Sequence, residues 1–222
     1  MSGCSGPVDQ TARPSADQTA RPSADQTALP SAEPTASGPA EQTAMPSDAD
    51  VTAARQKIES ADLGSPKTID ELEGVRFTAA GEQAARDVLA SASGRDALWA
   101  ATWVYASSAT EPAPLRPLLE NGDASIRTMA AAALVALGDR SGFGALEASL
   151  SDADQLRGSH PPISVGGFTL DTLSRYVHAA DAPEPPQSGQ ELANVQARWA
   201  DWLQRHGNDL QFDAPSGTWN AP

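Results

Sequence analysis

The stretch from Ala113 to Asp139, APLRPLLENGDASIRTMAAAALVALGD, limits the fold more than any other part of the chain. Ile126, Met129, Ala130, Ala133, Leu134 and Leu137 recur at helical spacing and predict a helix over 125–137 with one apolar face. The alanines beside that face combine the best helix propensity with the least bulk, so a neighbouring helix can approach closely. Upstream, Leu115, Leu118 and Leu119 stand at i, i+3 and i+4 and predict a short first helix. Asn121-Gly122 ends it, since both residues tolerate the left-handed conformation of a helix C-cap, and Gly138 ends the second helix. Asp123 is placed to accept hydrogen bonds from the first amides of the second helix. Arg127, entering that helix, is long enough to cross the turn and donate to carbonyls of the first.

Similar pairs flank this one. Glu82–Ala92 and Asp96–Ser107 read as two helices around a turn at Gly94, and the second of them carries Trp99 and Trp103 on two overlapping faces. Such an aromatic helix is expected to be covered on two sides. Downstream, Phe143, Leu146 and Leu150 line a third first-helix, while Ser151-Asp152 and Leu156-Arg157 echo the central turn. Gly158-Ser159-His160-Pro161-Pro162 cannot continue a helix, so an insertion from Gly158 to Phe168 is expected before a helix restarts at Thr169. Loops inserted into repeats gather on one face and often bind. Gln190–His206 carries Leu192, Val195, Trp199, Trp202 and Leu203 on one side and is expected to close the open end of the stack. No strand is expected anywhere. Ser47-Asp48 opens a lead-in helix ended by Gly64-Ser65-Pro66, and Thr68–Leu72 forms a single helical turn.

The central unit resembles a HEAT repeat, in particular the HEAT-like repeats first described in phycobilisome lyases. The residues that carry the resemblance are Leu118-Leu119, Asp123, Ile126-Arg127 and the ending from Ala130 to Gly138-Asp139. It implies an all-α fold, a short α-solenoid of helical pairs over 49–222. It implies no reaction, because the fold hosts many non-enzymes.

Residues 1–48 belong to another class. DQTARPSA occurs twice from Asp9, DQTALPSA follows, and two decayed copies run to Asp48. A period of eight small and polar residues with regular proline cannot bury enough apolar surface to order itself, which predicts a disordered tether. Ahead of it, Ser2-Gly3-Cys4 resembles the lipidation site of a bacterial lipoprotein, without the basic and apolar segments of a leader. That resemblance implies a lipid anchor at Cys4 and a place at the cell envelope; a cytoplasmic protein with an acidic tail is the alternative.

The formal net charge of −14 argues against nucleic acid and against direct binding to anionic lipid, leaving membrane attachment only through an anchor. His160, His178 and His206 are far apart and lie in no metal-ligand spacing, and no glycine-rich phosphate cradle is present. The expectation is therefore a non-catalytic protein-interaction module with no cofactor or metal. The alternative is a receptor for a small ligand or glycan, with Trp199, Trp202, Trp219, His160 and the 158–168 insertion forming an aromatic pocket.

Overall fold

The computed structural model describes residues 45–91, 94–159, 161–185 and 191–221. Cys4, His160 and the octapeptides as far as residue 44 lie outside the described residues; the last copy ends at Ser47-Asp48, the N-cap and first residue of α1. The chain divides into two units, 1–43 and 44–222, and the second holds every element below.

That unit is mostly helical. Among the described residues eight α-helices run α1 Asp48–Glu59, α2 Pro66–Arg76, α3 Ala79–Ser91, α4 Arg95–Ser108, α5 Ala124–Ala136, α6 Gly142–Ser149, α7 Val165–Tyr176 and α8 Leu192–His206. A 3-10 helix, Arg116–Glu120, precedes α5, and two short strands, β1 Gln211–Asp213 and β2 Thr218–Asn220, follow α8.

α5 packs against α4, α6, α7 and the 3-10 helix and lies between two cores. Ten of its residues are buried, from Ser125 to Val135. Its sides serve two cores. Ile126, Met129, Ala130, Ala133 and Leu134 join Ile58, Leu72, Val88, Val104, Tyr105 and Leu118 in one. Ala131, Ala132 and Val135 join Phe143, Leu146, Leu170, Leu173, Trp199 and Trp202 in the other. A helix that is apolar on most of its circumference can be buried on both sides, and the alanine run lets the two cores approach it closely. Between α5 and α6 the one polar contact is internal, Thr128 Oγ1 to Ser149 Oγ at 2.9 Å, so neither buried hydroxyl is left unpaired.

Four details depart from the sequence reading. The first helix of the central pair is a 3-10 helix, with Pro114 and Pro117 removing two backbone donors at its start. In 3-10 geometry residues i and i+3 eclipse, so Leu115 and Leu118 are buried and Leu119 falls to the side. Next, α2 extends to eleven residues rather than one turn, and α7 begins at Val165, capped by Ser164 accepting from the Gly167 amide. The projecting segment is correspondingly shorter than 158–168, and the pairing of Gln155 with Ser164 closes it at its base. Finally, a hairpin exists. Phe212 and Trp219 are partners across β1 and β2, and Trp219 sends its indole N–H to the Val135 carbonyl at 2.8 Å. Arg140 donates to the carbonyls of Gly207, Asn208 and Leu210, fixing the chain that leads into β1. Gly138 ends α5 with φ +77°, and a Cβ there would meet the Phe212 ring at 2.4 Å. The same glycine thus provides the left-handed cap and the room for the hairpin to dock.

Candidate functional site

The turn between the 3-10 helix and α5 is built on Asp123. Its Oδ1 accepts from the Ser125 amide at 2.9 Å, and Asn121 Oδ1 accepts from the Asp123 amide at 2.8 Å. Arg95, at the start of α4, donates to Asp123 Oδ2 at 2.5 Å, and Arg157 Nε lies 3.6 Å from the same oxygen. Arg157 also pairs with Asp96 at 2.9 Å, and its backbone N–H donates to Ser125 Oγ at 3.0 Å. Arg127 crosses the turn and donates to the Asn121 carbonyl at 2.6 Å. Burial pushes the Asp123 carboxyl up, but the Arg95 hydrogen bond, the Ser125 amide and the charges of Arg95 and Arg157 together hold it below the ordinary aspartate value. These residues tie α4, α5 and the loop before α7 to one carboxylate, and they hold Arg157 at the edge of a groove.

That groove is a concavity of about 420 Å³, half-open to solvent. Its floor is Met129, Ala132, Ala133 and Ala136 of α5 with Trp99 and Phe168 beside them. One wall comes from α2 and α4, through Arg76, Phe77 and Trp103; the other from α7 and the preceding loop, through Arg157, Arg175 and Tyr176. Trp99 and Trp103 stack with centroids 5.9 Å apart. The Arg76 guanidinium lies 4.5 Å from the Trp103 centroid and 4.8 Å from that of Phe77, and it donates to Ser107 Oγ and Glu73. Gly158, with φ +72°, passes so close to Trp99 that a Cβ would stand 2.6 Å from the ring, which explains a glycine where the loop meets the wall.

The aromatic pocket expected from Trp199, Trp202 and Trp219 does not form. All three rings are at most 2 % exposed. Trp199 and Trp202 meet edge to face at 5.7 Å inside the second core, because α8 turns its apolar stripe onto α6 and α7. His206 stacks on Trp202 at 5.1 Å, and His178 hydrogen-bonds the Arg175 carbonyl. The loop from Leu156 to Ser159 instead lines the groove over α5, together with residues the sequence reading did not single out as a site: Arg76, Phe77 and Arg175. A signal for them was present. Trp103 lies on the second face of α4, and Arg76 and Phe77 form the last residue and the C-cap of α2.

Among the described residues no three His, Cys, Asp or Glu side chains converge as a metal site, and no helix is long and apolar enough to cross a membrane. Comparison with protein-family profiles, with curated proteins and with solved structures finds no match for this chain.

Proposed function

We propose that residues 49–222 form a short HEAT-like α-solenoid that works as a non-catalytic protein-interaction module, and that the groove over α5 is its binding surface. The solenoid reading is supported by the repeated turn: Asp139 accepts from the Ser141 amide at 2.9 Å and from Arg116, as Asp123 does from Ser125 and Arg95. The observation that carries the function is the groove itself, an apolar floor edged by aromatic rings and fixed arginines, residue types that anchor protein partners. Attachment to the cell envelope through lipidated Cys4 and the octapeptide tether belongs to the same proposal. Partition of the full-length chain into detergent, lost in Cys4→Ser, tests that part.

The groove is tested by panning a random peptide library on the full-length chain and on Ala106→Trp. Ala106 is a half-buried position of α4 lining the groove, where an indole would fill it. Peptides that bind the parent and lose affinity for Ala106→Trp are expected. Peptides that bind both equally would move the binding surface elsewhere. Trp103 gives a second readout: the other four of the five tryptophans are at most 2 % exposed, so ligand-dependent change in acrylamide quenching reports on the groove.

A further inference from the structure

We infer that the groove takes an acidic peptide segment bearing an apolar or aromatic anchor, with its carboxylates directed to Arg76, Arg157 and Arg175 and its anchor to the floor at Trp99, Met129 and Phe168. The inference rests on the reading of the groove as the binding surface and supplies the chemistry of the partner.

Charge distribution is the first argument. The chain has 29 acidic and 15 basic residues, yet among the described residues three arginines and a single acid, Asp171, line the groove. A cationic edge on an otherwise anionic molecule is complementary to an acidic partner and to few others. A long polyanion such as nucleic acid would be repelled by the remaining surface. A short acidic segment feels that repulsion only within a Debye length of about 8 Å at physiological salt.

The arginines are also arranged to accept such a segment. Arg76 has its Nε held by Ser107, its Nη1 held by Glu73 and its plane near two rings. Arg157 has Nη1 held by Asp96 and Nε near Asp123. In each, the remaining nitrogen, Nη2, has no partner among the described residues. Among the described residues the Arg175 guanidinium is tied only through Nη2 to Asp171, which leaves Nε and Nη1 for a ligand. Glu73, Asp96 and Asp171 offset part of the charge, but each occupies one edge of its guanidinium, and their side chains are 46 %, 37 % and 66 % exposed, where water screens them. A guanidinium fixed before binding loses little side-chain entropy when a carboxylate arrives, which favours Arg76 and Arg157 as primary contacts.

The shape favours a peptide over a small amphiphile. A small-molecule site encloses most of its ligand, whereas this groove is half-open and Phe77 stands on its rim 67 % exposed. A peptide laid across the rim covers Phe77, places one side chain over the floor and leaves its outer face in water.

The experiment uses the full-length chain and two displayed libraries with the same randomised core, one flanked by glutamates and one by lysines. Binders are expected from the glutamate library alone, with apolar or aromatic residues in the core. Fluorescence polarisation of a purified binder should show about tenfold weaker binding to Arg157→Gln and to Arg76→Gln, the loss of a charge-assisted hydrogen bond. Arg157→Gln also loosens the Asp123 turn, so Arg175→Gln serves as the second variant. Among the described residues its guanidinium pairs with the exposed Asp171 alone, so its melting temperature should be unchanged, and binding should weaken about threefold. Binders from the lysine library that are lost on Ala106→Trp would overturn the acidic assignment and leave the groove as the binding surface. Binders of either charge that ignore Ala106→Trp would remove both. Recovery of no binder from either library, or quenching of Trp103 by dodecanoate with no glutamate peptide bound, would overturn the assignment to an acidic peptide.

Discussion

Two turns of this molecule share one design and differ in what meets at them. At both, an aspartate accepts from the amide two residues on and from an arginine of the preceding segment: Asp123 from Ser125 and Arg95, Asp139 from Ser141 and Arg116. Burial does not distinguish them, since the two side chains are 7 % and 9 % exposed. The number of segments does. Asp139 joins the 3-10 helix to the start of α6. Asp123 joins α4, the start of α5 and the loop before α7, because Arg157 reaches it from a position 34 residues downstream. A repeated local motif becomes a junction when a third chain segment brings a charge to it. The groove lies beside the Asp123 turn, where Arg157 belongs to both.

The widest separation between the turns is expected on removing the carboxylates. Asp123→Ala loses an N-cap and two charged partners and strands Arg157 with Asp96 alone, so it should cost about 2–4 kcal/mol. Urea unfolding measures it, and a loss no larger than that of Asp139→Ala would erase the distinction. Arg127 is peculiar to the first turn. Arg127→Ala, which frees the Asn121 carbonyl, should cost about 1–3 kcal/mol, and Arg127→Lys should recover part of that because an ammonium lacks the planar fork. An unchanged melting temperature in Arg127→Ala would remove its structural role. Asp139→Ala should cost only about 1 kcal/mol, the value of one accepted amide hydrogen bond in the turn before α6 with one half-exposed ion-pair partner.

The contrast also marks what the sequence could carry. The Asp123 cap and the reach of Arg127 over the turn follow from residues within a few positions of each other, and both were legible as local geometry. The buried face of α5 was legible from its spacing. The second buried face was not. Alanines fit either a surface or an interface, and only packing against α6 decides. Trp199 and Trp202 could be read as a closing cap or as a binding surface, since three-residue spacing places rings together without saying what covers them. The groove was least legible. Arg76, Trp103, Arg157 and Arg175 come from four separate segments; in the sequence Arg157 is an echo of Arg127, and in the fold it turns back to pair with Asp96. The hairpin escaped because β1 and β2 are three residues each, too short for an alternating pattern to stand out.

The finest test of the two turns is their response to acid. Burial alone would raise both carboxyls. At Asp123, Arg95, the Ser125 amide and Arg157 outweigh it; at Asp139, Ser141 and Arg116 do, so both are held below the ordinary aspartate value. A carboxyl whose pKa is lower folded than unfolded contributes stability above its unfolded value of about 3.9 and loses it as pH falls through the folded value. The native chain should therefore lose stability on acidification below about pH 5, with both aspartates contributing to the slope. Asp123→Asn should flatten that slope more than Asp139→Asn, because two arginines rather than one are released when its carboxylate is protonated. Urea unfolding of the two asparagine variants from neutral pH to about pH 3 measures the difference. Equal slopes would mean that Arg157, at 3.6 Å, contributes nothing to the carboxylate, and that its position is set by Asp96 and the Ser125 hydroxyl alone.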